Sequence, residues 1–108
     1  MKRRTALLAS LSLIAAPRAR AADDVVIGAI YPLTGNAAQI GADARAAIDT
    51  TLEIINGTHA PLPMLMGKGG GLDRLGGAKI RVVWADHQND PQKARAEAER
   101  LITQDKVC

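Results

Sequence analysis

The polar side chains most suggestive of chemistry in this 108-residue chain fall in one run, Asp86-His87-Gln88-Asn89-Asp90-Pro91. A histidine between carboxylates is the raw material of acid–base catalysis. A plainer reading fits better: Asp86 closes a β-branched apolar run, and Asp90 before Pro91 is the pairing of a helix N-cap with a proline at the first helical position, where its missing N–H costs nothing. The glycine-rich Gly67-Lys68-Gly69-Gly70-Gly71 suggests a phosphate cradle, but a P-loop needs an earlier glycine and a Ser or Thr after the lysine. Here Gly69 follows Lys68, and residues 61–66 contain no glycine. The turn after the first apolar run, Pro32-Leu33-Thr34-Gly35, is not a dinucleotide fingerprint either. His59 and His87 lack ligand spacing, which argues against a metal site. A single cysteine, Cys108, excludes an intrachain disulfide and a cysteine-rich zinc module. No serine sits on a strand-to-helix elbow. The residues therefore predict neither an enzyme nor a bound cofactor.

The elements that must position any site read as two strand-helix units. Val25 to Tyr31 (VVIGAIY) is β-branched and apolar on both alternating faces, the pattern of a strand covered on both sides, as in parallel α/β sheets. Pro32 ends it, and Thr34 or Asn36 is placed to cap the next helix. From Ala37 to about Asn56, Ile40, Ala44, Ala47, Ile48, Leu52 and Ile55 recur at helical spacing, with Gly41 weakening the first turn by about 1 kcal/mol relative to Ala. Lys79 to Ala85 (KIRVVWA) reads as a second strand, with Ile80, Val82 and Trp84 on one face. Pro91 to about Gln104 reads as a second helix with supporting pairs Lys93–Glu97 and Arg95–Glu99. The β-α-β-α order predicts a parallel sheet with right-handed crossovers. Between the units, Thr58 to Ala78 is too long for an ordinary connection; it reads as an insertion at the sheet's edge or amino side, mobile at Lys68 to Gly71. Two strands and two helices leave a sheet edge and helix faces uncovered, so residues 22–108 are expected to be an incomplete α/β unit, the front piece of a longer protein.

In open parallel sheets ligands bind beyond the carboxyl ends of the strands, where loops and helix N-termini offer unpaired N–H groups. Those places are Tyr31 to Ile40 and Asp86 to Pro91.

Charge distribution bears on destination. The net charge is +3 and the isoelectric point near 9.4, which invites a nucleic-acid reading. Residues 1–21, however, hold five basic side chains and no acid, and the remainder holds 9 basic against 11 acidic. Lys2-Arg3-Arg4, the apolar run Ala6 to Ala16, Pro17 and the small-x-small Ala19-Arg20-Ala21 together form an export signal cleaved near Ala21. The run is shorter than the roughly 20 residues a spanning helix requires. Arg3-Arg4 leaves a twin-arginine route open; the flanking residues favour the general secretory path. The excess charge thus reads as the route out of the cytoplasm and gives no reason to expect a nucleic-acid partner.

The export signal, the stretch IGAIYPLTGNAAQIG and the turn Asp86-x-x-x-Asp90-Pro91 with its amphipathic helix resemble the start of the branched-chain amino acid (leucine-binding) type of periplasmic substrate-binding protein, which feeds an ABC importer. The resemblance implies a type I periplasmic-binding fold, two α/β lobes joined by hinge strands that close over a small ligand. It also implies that most ligand contacts come from loops after the third and fourth strands and from the second lobe. The position of Ile40 matches one that often carries an aromatic side chain at the cleft; Ile40 departs from that. With Leu33, Thr34 and Gln39 beside it, Ile40 completes the set of candidate ligand-binding residues. Some members have a disulfide starting at the position of Asn89, so none is expected here. The implied function is non-catalytic binding of an amino acid or small amide and delivery to an ABC permease in the inner membrane. An extracytoplasmic ligand sensor of the same fold is the alternative, and an exported α/β enzyme would need a nucleophile or metal site outside these residues.

Overall fold

A computed structural model describes residues 22–64 and 67–108; the export segment read in residues 1–21 lies outside the described residues. The chain runs β1 (Val25–Tyr31), α1 (Ala38–Asn56), one 3-10 turn (Asp73–Leu75), β2 (Ile80–Asp86) and α2 (Pro91–Thr103). β1 and β2 pair in parallel, from Val25 beside Ile80 to Tyr31 beside Asp86. This is the parallel β-α-β-α order that the sequence predicts. β2 runs one residue further than its apolar pattern indicates, because Asp86 still pairs with Tyr31 and the His87 N–H donates to the Tyr31 carbonyl at 3.2 Å.

Paired residues of a parallel ladder share a face, so Ile27, Ala29 and Tyr31 lie on the same side as Val82 and Trp84. α1 covers that side, with the Arg45 guanidinium 5.0 Å from the Trp84 ring centroid. α2 covers the other, where a Cβ on Gly28 would come within 3.0 Å of Leu101 Cδ1 and 3.2 Å of Val107 Cγ2. Only a glycine lets Leu101, 2% exposed, sit directly on the strand. Beyond α2 the Cys108 N–H donates to the Val26 carbonyl at 3.0 Å. Val26 faces away from β2 in this ladder, so the chain returns along the far edge of β1. Helices therefore flank both faces of the two-stranded sheet, and a single backbone hydrogen bond from Cys108 reaches the far edge of β1.

The helix ends follow local chemistry. Asp90 caps α2, its Oδ1 accepting from Gln92 N at 2.8 Å and Lys93 N at 3.3 Å. α1 has no side-chain cap: Ala37 stands at the N-cap, and the Thr34 hydroxyl is engaged elsewhere. Neither Thr34 nor Asn36 therefore plays the capping role its type suggests. The pairs Lys93–Glu97 and Arg95–Glu99 do not form among the described residues. Lys93 Nζ reaches back to Gln88 Oε1, and Glu97 instead takes Arg100 at 2.7 Å. On α1, Ile55 is buried and Ile48 and Leu52 are half-buried, whereas Ile40 is 62% exposed and stands outside the packed face.

The long connection folds back on the carboxyl end of α1. Gly70 N and Gly71 N donate to Gly57 O and Ile55 O, each at 2.8 Å, and Leu72 bridges Ala78 just before β2. His59 lies with Nδ1 2.7 Å from Ala60 O and Nε2 2.7 Å from Ile54 O. The segment thus lies at the amino side of the strands, away from the candidate ligand residues.

Candidate functional site

The carboxyl ends of β1 and β2 lie side by side, so the loop Pro32–Ala37 meets the loop His87–Asp90. Asp86 joins them. Its Oδ1 accepts from Leu33 N at 2.9 Å and from Gln88 N at 2.9 Å, and its Oδ2 accepts from Thr34 Oγ1 at 2.5 Å. The Thr34 hydroxyl is the main reason the Asp86 carboxyl is held down to about 2, well below its ordinary value; partial desolvation opposes this, and the Gln88, Leu33 and Thr34 backbone groups add to it. Asp86 is accordingly a carboxylate throughout the physiological range. The second loop needs this support, since Gln88 and Asn89 have φ of 50° and 60°, a left-handed conformation uncommon outside glycine. Asn89 N donates to His87 Nδ1 and Asp90 N to His87 O, so His87 serves the turn.

The first helical turn of α1 is pressed against the end of β1. Pro32 and Gly41 are both buried, and a Cβ on Gly41 would lie 2.2 Å from Pro32 O and 3.1 Å from Leu33 Cδ2. The glycine that weakens the helix by propensity is thus what allows the helix to approach the loop. That approach places Gln39 and Ile40 beside Leu33 and Thr34. Leu33 is half-buried, Thr34 and Gln39 are exposed, and Ile40 presents most of its side chain to solvent. Gln39 Nε2 donates to Asp43 Oδ1 at 2.8 Å. Tyr31 and Trp84, with ring centroids 6.1 Å apart, lie on the sheet face beneath α1, and Arg45 covers Trp84.

All four candidate ligand residues therefore belong to one loop-helix junction at the carboxyl end of the sheet. The sequence reading missed the two residues that build the junction. From the sequence Asp86 is only a strand end, because its partner Thr34 is 52 positions away and no local spacing betrays the pair. Gly41 is a weak helix position by propensity, which is blind to a carbonyl from another element. Chemically the junction offers hydrogen-bonding side chains and an exposed aliphatic group, and it lacks a nucleophile paired with a base. Among the described residues no group of three His, Cys, Asp or Glu side chains could hold a metal ion.

No curated protein matches the chain significantly. The periplasmic binding protein family matches residues 24–108, which spans both strands, both helices and both loops of the junction. A parallel β-α-β-α start with its polar loops at the carboxyl ends of the strands is what a solute-binding lobe of that family needs, and this chain belongs to the periplasmic binding protein family.

Proposed function

We propose that the protein is the exported solute-binding component of an ABC importer and holds an amino acid of the branched-chain type, or a small amide, between two closing lobes. Residues 22–108 form the opening part of the first lobe, and 58–78 is an insertion away from the cleft. The family accounts for extracytoplasmic small-molecule binding; the ligand class and the importer partner are our reading. The observation that carries it is the exposed Ile40, 62% accessible, beside the polar Thr34 and Gln39 at the carboxyl end of β1. An aliphatic side chain left in water next to hydrogen-bonding groups suits a ligand with an aliphatic body and a polar head. Leu33, Thr34, Gln39 and Ile40 supply one wall of the cleft.

The test is a thermal-shift screen of the full-length protein against L-leucine, L-isoleucine, L-valine and short aliphatic amides. A ligand at 100 times its Kd should stabilise the folded form by about 2.7 kcal/mol. No shift with any of these compounds would remove the ligand assignment. Transport assays with permease-containing vesicles then separate an importer component from a sensor, since a sensor binds the same ligand without driving its uptake.

A further inference from the structure

The two polar candidates at the junction share a feature that spacing does not reveal. Each is oriented by a carboxylate. An ionised carboxylate only accepts hydrogen bonds, so in the 2.5 Å contact between Thr34 Oγ1 and Asp86 Oδ2 the single available proton is that of Thr34. The hydroxyl is spent as a donor, and what remains of the exposed Thr34 Oγ1 is lone pairs. Gln39 Nε2 likewise faces Asp43 Oδ1 at 2.8 Å. That fixes the amide orientation, with Gln39 Oε1 left as a free acceptor beside the second Nε2 hydrogen. Asp86 cannot turn away from Thr34, because its other oxygen is held by Leu33 N and Gln88 N.

Building on the solute-binding reading above, we infer that Asp86 is a positioning residue that presents Thr34 as a hydrogen-bond acceptor, so that this wall of the cleft selects the N–H donor end of a ligand, an ammonium or primary amide, over a carboxylate. The Thr34 lone pairs reward an N–H group and oppose an acceptor-only head, whereas Gln39, with an acceptor and one N–H left, serves either. The nearby Asp86 charge works in the same direction, and its low pKa keeps that charge in place at any pH a periplasm experiences.

The test compares 4-methylpentanamide with 4-methylpentanoate, which share an aliphatic body and differ in the head group, by calorimetric titration of the full-length protein. The wild type should bind the amide about tenfold tighter, the worth of one well-placed hydrogen bond. In Asp86→Asn the new Nδ2 donates to Thr34, the hydroxyl proton is released outward, and the ratio should fall severalfold or invert. Thr34→Val, which keeps Asp86 and its backbone bonds, should also lose the preference, whereas Thr34→Ser should keep it. Loss of loop order alone weakens both probes equally and leaves the ratio unmoved. If Asp86→Asn fails to fold, Thr34→Val decides. A wild type that binds the amide and branched-chain amino acids with no preference over the acid, or a ratio unchanged in Thr34→Val, overturns this inference and leaves the solute-binding reading standing. A wild type that binds neither probe nor any amino acid overturns both.

Discussion

The side chain of Asn56 grips the backbone of Ile80 at two points: Oδ1 accepts from Ile80 N at 2.8 Å and Nδ2 donates to Ile80 O at 2.7 Å. The last residue of α1 thereby imitates a neighbouring strand at the outer edge of β2, whose backbone groups at Ile80 face away from β1. The same residue's carbonyl takes Lys79 Nζ at 2.6 Å. Replacing Asn56 with Ala leaves a half-buried donor and acceptor without partners. A loss of about 1–3 kcal/mol is expected, read as a lower denaturation midpoint with an unchanged slope.

Gly41→Ala should destabilise the protein although alanine is the better helix former by about 1 kcal/mol. A Cβ 2.2 Å from Pro32 O forces α1 away from the end of β1, at a cost of about 1–3 kcal/mol. Because the displaced turn carries Gln39 and Ile40, ligand affinity should fall with stability. A variant as stable as the wild type, measured by urea denaturation, would show that helix and loop are not in the close contact described.

Leu101→Ala removes the buried side chain with which α2 packs on β1 and should cost about 2–5 kcal/mol. Gly28→Val attacks the same contact from the strand side, where even a Cβ has only 3.0 Å to Leu101. Both variants should unfold at markedly lower urea concentration than a control change at the exposed Ile102.

Two groups give stability a pH dependence of opposite sign. The Asp86 carboxyl titrates at about 2 in the folded protein against an ordinary 3.8. Its contribution is therefore complete above about pH 4 and lost as pH falls toward 2, and Asp86→Asn should flatten this acid limb. His59 is raised above 6.5, first by the Ala60 carbonyl and then by that of Ile54. With a carbonyl at each ring nitrogen, only the imidazolium donates to both. Its contribution is complete below pH 6.5 and lost as pH rises through the folded value, and His59→Gln should remove that dependence. Urea midpoints of wild type and variants from pH 2 to 9 check both signs.

Those pairs also mark where sequence reading stopped. β1 was legible to the residue, since a β-branched run bounded by Pro32 leaves little choice, and Asp90-Pro91 announced the start of α2. The candidate ligand residues were placed by the rule that loops at carboxyl strand ends bind, together with a family resemblance, and the structure brings all four to one junction. What was not legible depends on partners far along the chain. Thr34 has the chemistry of a cap, and nothing local says that Asp86 will take its hydroxyl. Gly41 looks like a weak point until Pro32 is brought against it, and Asn56 looks like an ordinary helix end until Ile80 arrives. Ile40 keeps the helical period of the buried face, yet the first turn passes the end of the sheet and leaves it exposed.

The central claim is that a small ligand is held at the junction of β1 and α1. Backbone NMR of the full-length protein, titrated with L-leucine and with 4-methylpentanamide, tests it most directly. Saturable shifts that include the amides of Leu33, Thr34, Gln39 and Ile40, with weaker shifts at Gln88 and Asn89, are the predicted result. Saturable binding that leaves those amides unmoved would contradict it.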